Sequence, residues 1–569
     1  MKKINLYIAG ACLALGLASC DSFLDEENLS NVNSEQYFQE KDGYESLVNA
    51  SYATLRSLWK NEPWLFNLGV DIYTRGESEL VSGSYGNRDI YSSELNEYAT
   101  LDAQNGYVGD FYSNAYYGIQ VCNTAINKAS SVSGMSEKNL NQRLAEVRFL
   151  RAYYYYLLVE QFGDIAIVAD EINTPVTEFT RTPEKNVYAF ILSELNDVVS
   201  VLPASQSEFG RATQGAAKHL MALIYLTRGY KSYAESTDFS KAASLADEVI
   251  NSGQYELMPT FSDVFISGNE KNKEIIFSVQ YDASSLGGQY GGNGQQNLYG
   301  FELWTKVVSG FEQGNLTYGW KKNQFMPTQF LYSLYNTAVD GRYDATFKSE
   351  FYATKEDTNI GLKVGDLRLY FPKYDQPFTK EDSLAVIAQN PNAIIVTKDR
   401  WKQDIEHVGG SGMCPMIWKF YDPNSSYPSN NTSYTSTKDI FLFRLADTYL
   451  LAAEAYYKAG DSQKAAERIN KVRERAALPG HAADMDIKPE QVDIDFILDE
   501  RASDADSSLS KKMGGLPVLV IGKDEVTRGF YYDFNDGGSF GFGNDLKFHE
   551  LNILSLWLNQ HRRFFLQVK

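Results

Sequence analysis

The sequence predicts a mainly α fold in which paired helices carry long, aromatic-rich loops and a few short strands. Three observations lead there. Apolar residues recur at helical spacing through 42–252 and again through 438–501. Between these blocks, 253–437 is rich in Gly, Asn, Ser and aromatic residues, with only short strand-like pieces. The 39 Tyr, 32 Phe and 7 Trp among 569 residues exceed the needs of one core, which points to flat contact surfaces.

The chain opens on a processing signal. Lys2 and Lys3 precede the apolar run 4–18, which is too short to span a bilayer and matches the h-region of a secretory signal. Leu17-Ala18-Ser19-Cys20 is similar to the lipobox of bacterial lipoproteins. Residues 1–19 are therefore expected to be a signal peptide and Cys20 the lipidated residue, its two or more acyl chains forming a durable membrane anchor. Residues 20–41 are polar and acidic and read as a tether. Later segments lack a run of about 18 apolar residues that would span a membrane as a helix.

Helices are expected at about 42–59, 108–130, 138–162, 185–201, 212–230 and 238–252. In the third, Ala145, Phe149, Ala152 and Tyr156 recur at i, i+4, i+7 and i+11. Residues 441–458 and 462–476 flank Ala459-Gly460-Asp461 and read as a helical hairpin. Small residues among large ones, a Gly or Asp turn and an Ala-rich second helix resemble the tetratricopeptide arrangement. Strands are expected at 274–279 and 393–396.

Charge and motif exclude several functions. With 53 basic against 73 acidic residues, a net charge of −20 and no Lys/Arg block, the chain is not a nucleic-acid binder. Cys122 and Cys414 form no disulfide framework or zinc spacing and are expected to be small buried residues. Five His without an HExxH pattern, and glycine runs that fit neither a phosphate cradle nor a nucleophile elbow, give no catalytic or metal-ligating residue. His219 reads as packing on an Ala-rich helix. No cofactor is implied, and an enzyme is not expected.

Several segments together carry a family resemblance. These are Cys20 followed by Phe23-Leu24-Asp25, Val48-Asn49-Ala50-Ser51-Tyr52, the run Ala145 through Ala152 around Arg148 and Arg151, and Phe162-Gly163-Asp164. The series continues through 211–226, Asp340-Gly341-Arg342-Tyr343-Asp344, Trp418-Lys419-Phe420-Tyr421-Asp422-Pro423 and 439–446. In this order, over about 20–501, the chain resembles the SusD/RagB outer-membrane lipoproteins of Bacteroidetes. The resemblance implies a SusD-like helical fold over 42–501. It also implies a surface-exposed, lipid-anchored place on the outer membrane, and capture of an oligo- or polysaccharide for a SusC-like TonB-dependent transporter. A RagB-type relative would carry peptide instead, and a repeat scaffold without a small ligand is the remaining alternative. The family's closing motif begins at Phe496-Ile497-Leu498-Asp499-Glu500-Arg501 and is then lost, so 502–569 reads as a divergent tail.

Sugar rings present apolar C–H faces that pack flat on exposed Trp and Tyr rings, while amides, Arg and carboxylates bond the hydroxyls. By the resemblance, Tyr73, Tyr290 and Trp320 are the expected stacking residues, with Arg75 as a polar neighbour. Trp304 and Tyr318 are expected flankers without a motif match.

Overall fold

The computed structural model describes residues 34–504, apart from 60–63, 77–87, 99, 102–103, 177, 283–291, 308, 320, 322–323, 402–412 and 426–435, together with strands at 521–523 and 526–528. Nine long helices build the scaffold: α1 (Lys41–Trp59), α2 (Gly106–Lys128), α3 (Glu137–Phe162), α4 (Glu184–Val198), α5 (Gln214–Arg228), α6 (Asp238–Ile250), α7 (Leu445–Lys458), α8 (Ser462–Ala476) and α9 (Ile494–Asp504). From α1 to α6 they follow the expected helices closely.

Local chemistry starts and stops them. Asn105, Ser136, Thr213 and Asp461 accept backbone N–H bonds at the first turns of α2, α3, α5 and α8. Neighbours in sequence pack as neighbours in space through α1–α2–α3–α4–α5–α6, and α6 then packs on α7 and α7 on α8. The stack thus continues across the long excursion 251–444, which leaves the solenoid after its third hairpin and rejoins it at the fourth. Close approach explains the small residues. A Cβ at Gly118 of α2 would meet the Tyr154 ring of α3 at 2.4 Å.

Helix α3 is the axis of the core. Nearly every residue from Ala145 to Gln161 is buried, including four consecutive tyrosines, Tyr153 to Tyr156. Its buried charges are matched: Arg151 Nη2 lies 2.6 Å from Glu194, and Glu146 meets Arg143 at 2.9 Å and Arg211 at 3.0 Å. His219 is likewise structural, bonded through Nδ1 to Thr448 at 2.9 Å and packed on Phe443. Cys122 and Cys414 are buried free thiols.

The excursion is held by short strands: β1 (Tyr73–Arg75), β2 (Ile275–Val279), β3 (Phe325–Pro327), β4 (Phe347–Lys348), β5 (Glu350–Tyr352), β6 (Leu367–Tyr370), β7 (Ile394–Ile395), β8 (Met416–Ile417) and β9 (Ile440–Arg444). Pairing is antiparallel for β1–β3, β2–β9, β4–β8 and β5–β6, while β6–β7 is parallel. A single apolar cluster runs from α1 through these strands to Ala502, so the loop block shares the scaffold's core.

Two expectations need correction. Residues 441–444 are not helical; they belong to β9, and α7 begins at Leu445. All five β9 residues are buried, and a strand buried on both faces has the same unbroken apolar run as a helix start. Second, the scaffold does not stop at 501: Ala502, Ser503 and Asp504 are buried in α9. Cys20 and almost all of the expected tail lie outside the described residues.

Candidate functional site

The described loop block contains a shallow recess lined by Leu303, Trp304, Phe311, Glu312, Tyr318 and Lys321, with Phe301, Asn315, Gly319 and Thr354 completing it. Its walls come from three stretches, two of which are tied together by hydrogen bonds. Glu312 N–H donates to Thr354 Oγ1 at 3.2 Å, and Thr354 N–H donates to the Gly310 carbonyl at 2.8 Å. Gly319 sits at φ +72°, a left-handed turn that only glycine adopts without strain.

Tyr318 is 9% exposed. Its hydroxyl donates to the Tyr352 carbonyl at 3.0 Å and accepts from the Tyr352 N–H at 2.6 Å. Both bonding directions are therefore committed to backbone, and burial raises its pKa above the usual tyrosine value. What Tyr318 offers the recess is a ring, set edge-on to Phe351 at 5.0 Å. Trp304 is half-buried at the recess wall and packs partly against the core.

Beside the recess stands an aromatic pair that sequence reasoning did not select. Trp418 and Tyr421 are stacked, with ring centres 4.0 Å apart and planes at 14°. Both are half-buried, and Tyr421 Oη donates to the Thr317 carbonyl at 3.0 Å, tying the pair to the turn that carries Tyr318. The signal was present in Trp418-Lys419-Phe420-Tyr421, two aromatics three residues apart in a segment noted only for its family pattern.

Two ammonium groups face this pair. Lys321 Nζ is 5.9 Å from the Trp418 ring centre and Lys348 Nζ is 5.6 Å away. Lys321 is 2% exposed, and burial alone pushes its pKa down to about 7. It donates to the Gln296 carbonyl at 2.6 Å. Burial also lowers the Lys348 value, with Glu350 opposing the shift.

The sequence-selected residues divide sharply. Trp304 and Tyr318 meet at the recess. Tyr73 does not reach it as an open ring: it is 4% exposed on β1, opposite Pro327, with its ring 5.3 Å from that of Tyr299. Arg75 is buried on the same strand, opposite Phe325. A strand pairing formed with residues some 250 positions away makes these two interior. Tyr290 and Trp320 lie outside the described residues, although Gly319 and Lys321, on either side of Trp320, line the recess. Among the described residues, no three His, Cys, Asp or Glu side chains are grouped to hold a metal.

Two family models match the chain in succession. One, described as "Starch-binding associating with outer membrane", matches 22–226, and one described as "SusD family" matches 273–504. The chain belongs to the SusD/RagB family. SusD-like protein P2 of Formosa agariphila is 27% identical over 487 residues, spanning 84% of this chain and 82% of the relative. The starch-binding protein SusD of Bacteroides thetaiotaomicron is 27% identical over 361 residues, spanning 60% and 59%. Among solved structures, a laminarin-binding SusD-like protein shares the fold with a TM-score of 0.60 at 21% identity, over 83% of this chain and 89% of that one. The SusD-like helical architecture expected from the sequence is thus the one observed.

Proposed function

We propose that this protein is a glycan-capturing lipoprotein of the outer membrane, anchored through Cys20, that delivers oligo- or polysaccharide to a SusC-like TonB-dependent transporter. The observation that carries the reading is the recess walled by Trp304, Phe311 and Tyr318, with the stacked Trp418–Tyr421 pair beside it. The half-buried Trp304, Trp418 and Tyr421 rings offer flat apolar area at little entropic cost, which suits the C–H faces of sugar rings. Glu312, Asn315 and Thr354 supply acceptors and donors for hydroxyls at the rim. The family's starch-binding description and the starch- and laminarin-binding relatives support sugar as the ligand class.

The role asks for binding and release, with no bond broken in the ligand. Trp320 and Tyr290 remain part of the proposal as further stacking rings; Tyr73 and Arg75 contribute as interior supports of β1. Capture is tested by electrophoresis of the full chain through native gels containing a panel of polysaccharides, with Trp304→Ala alongside. Retardation by one glycan, reduced in the variant, is expected. Absence of retardation by any polysaccharide, with binding of peptides instead, would contradict the reading.

A further inference from the structure

Lys321 differs from the deeply buried cations that a carboxylate holds. Arg342 meets Asp340 at 2.8 Å and Glu500 at 2.6 Å, Arg444 meets Asp504 at 2.7 Å, Arg501 meets Glu454 at 3.0 Å, and Lys231 meets Glu184 at 2.6 Å. Lys438, equally buried, donates to the carbonyls of Phe265, Lys419 and Tyr421. Lys321 has one carbonyl bond, to Gln296, and among the described residues no carboxylate within ion-pair distance. An ammonium has three donors, so two are uncommitted by these contacts.

The position of this group matters more than its burial. Lys321 lines the recess, and a Cβ at Gly319 would stand 3.8 Å from its Nζ, so the bare glycine leaves room in front of the ammonium. Lys348 adds a second positive group near the same Trp418 ring. The charged and titratable groups around Lys321 include Glu312 on the recess wall, Lys348 near the same Trp418 ring, buried Asp422, whose N–H donates to the Gln296 side chain, and the Tyr318 and Tyr421 hydroxyls, which are bonded to backbone carbonyls. A buried, unmatched ammonium is costly, and an anionic oxygen arriving with the ligand would offset that cost with a charge-assisted bond. The net charge of −20 opposes a polyanion at long range, but that repulsion is screened beyond about 8 Å at physiological salt.

We propose that the recess selects an anionic sugar, one bearing a carboxylate or a sulfate, whose charged oxygen docks on Lys321 while its ring lies against the Trp304 and Tyr318 side of the recess. This deepens the glycan-capture reading and rests on it. Because burial brings Lys321 to about 7, an anion that binds the protonated form loses affinity as pH rises above about 7, by up to about tenfold per pH unit until the bound-state value is reached.

The test is calorimetric titration of the full chain and of Lys321→Met with three probes: oligogalacturonate, its methyl ester and a sulfated galactan. Lys321→Met removes an unmatched charge at similar volume, and a melting curve verifies its fold. The expected result is binding of at least one acidic probe at least tenfold tighter than the neutral ester, with that preference and its pH dependence absent in Lys321→Met. Preference for oligogalacturonate over the sulfated galactan identifies a carboxylate, and the reverse identifies a sulfate. Equal binding of the ester and the acids, or an acidic preference that survives in Lys321→Met, overturns the proposal while leaving glycan capture standing. No binding of these probes or of any neutral polysaccharide overturns both.

Discussion

Arg342 Nη1 donates to Glu500 Oε1 at 2.6 Å across 158 residues of sequence, with both side chains buried. The bond ties the loop block that carries the recess to the last scaffold helix. Glu500 also receives Arg473 at 2.5 Å, and Arg444 bridges Glu274 at 2.9 Å and Asp504 at 2.7 Å in the same region. The motif around Asp340-Gly341-Arg342 therefore fixes architecture and does not face ligand.

Glu500→Ala leaves two guanidinium groups without their shared carboxylate, one of them fully buried. A loss of about 3–5 kcal/mol is expected. Urea unfolding checks it: the midpoint should fall with the slope preserved. A midpoint within error of wild type would show that the network adds nothing.

Gly118→Ala would set a methyl group 2.4 Å from the Tyr154 ring and push α2 from α3. Overpacking of this kind costs about 1–3 kcal/mol. In a double-mutant cycle with Tyr154→Ala, most of that cost should vanish, because the ring that creates the clash is gone. Additive effects would place the clash elsewhere.

Asp439 gives a pH signature. Burial, first, pushes its carboxyl from 3.8 up to about 7, although it accepts bonds from Tyr281 N–H and Gln280 Nε2. The folded state thus holds the proton more tightly than the unfolded chain. The stability this gives is fully present below about pH 4 and is lost as pH rises through about 7. Asp439→Asn should flatten part of that decline, with buried Glu160, also pushed up to about 7, keeping its own share. Urea midpoints at pH 5 and pH 8 measure it, and identical declines in the two proteins would contradict the assignment.

The helices were legible in the sequence because their information is local. The Ala145, Phe149, Ala152, Tyr156 spacing is the buried stripe of α3, and Gly460 marks the turn between α7 and α8. The strand β9 was not legible, because burial on both faces erases the alternation that distinguishes a strand. At the site, Tyr318 and Trp304 could be named only as flankers of the expected stacking residues. Tyr73 could not be judged, since its burial depends on pairing with β3 and on Tyr299. The approach of Lys321 to Trp418 joins segments far apart in the chain and leaves no local trace.

Cys20→Ala tests the proposed anchor. Cells making this variant should carry the protein in the soluble fraction, without the mass of a lipid. Retention after a high-salt or carbonate wash that strips protein partners would mean that another segment holds it there.

On the glycan-capture reading, the rings around the recess hold the sugar. The most direct test is a calorimetric titration of the retained glycan against wild type, Trp304→Ala and Trp418→Ala, each with an unchanged melting curve. At least about a tenfold loss of affinity is expected in each variant, the scale of one well-packed aromatic contact. Wild-type affinity in both would contradict that expectation and move the binding surface away from this recess.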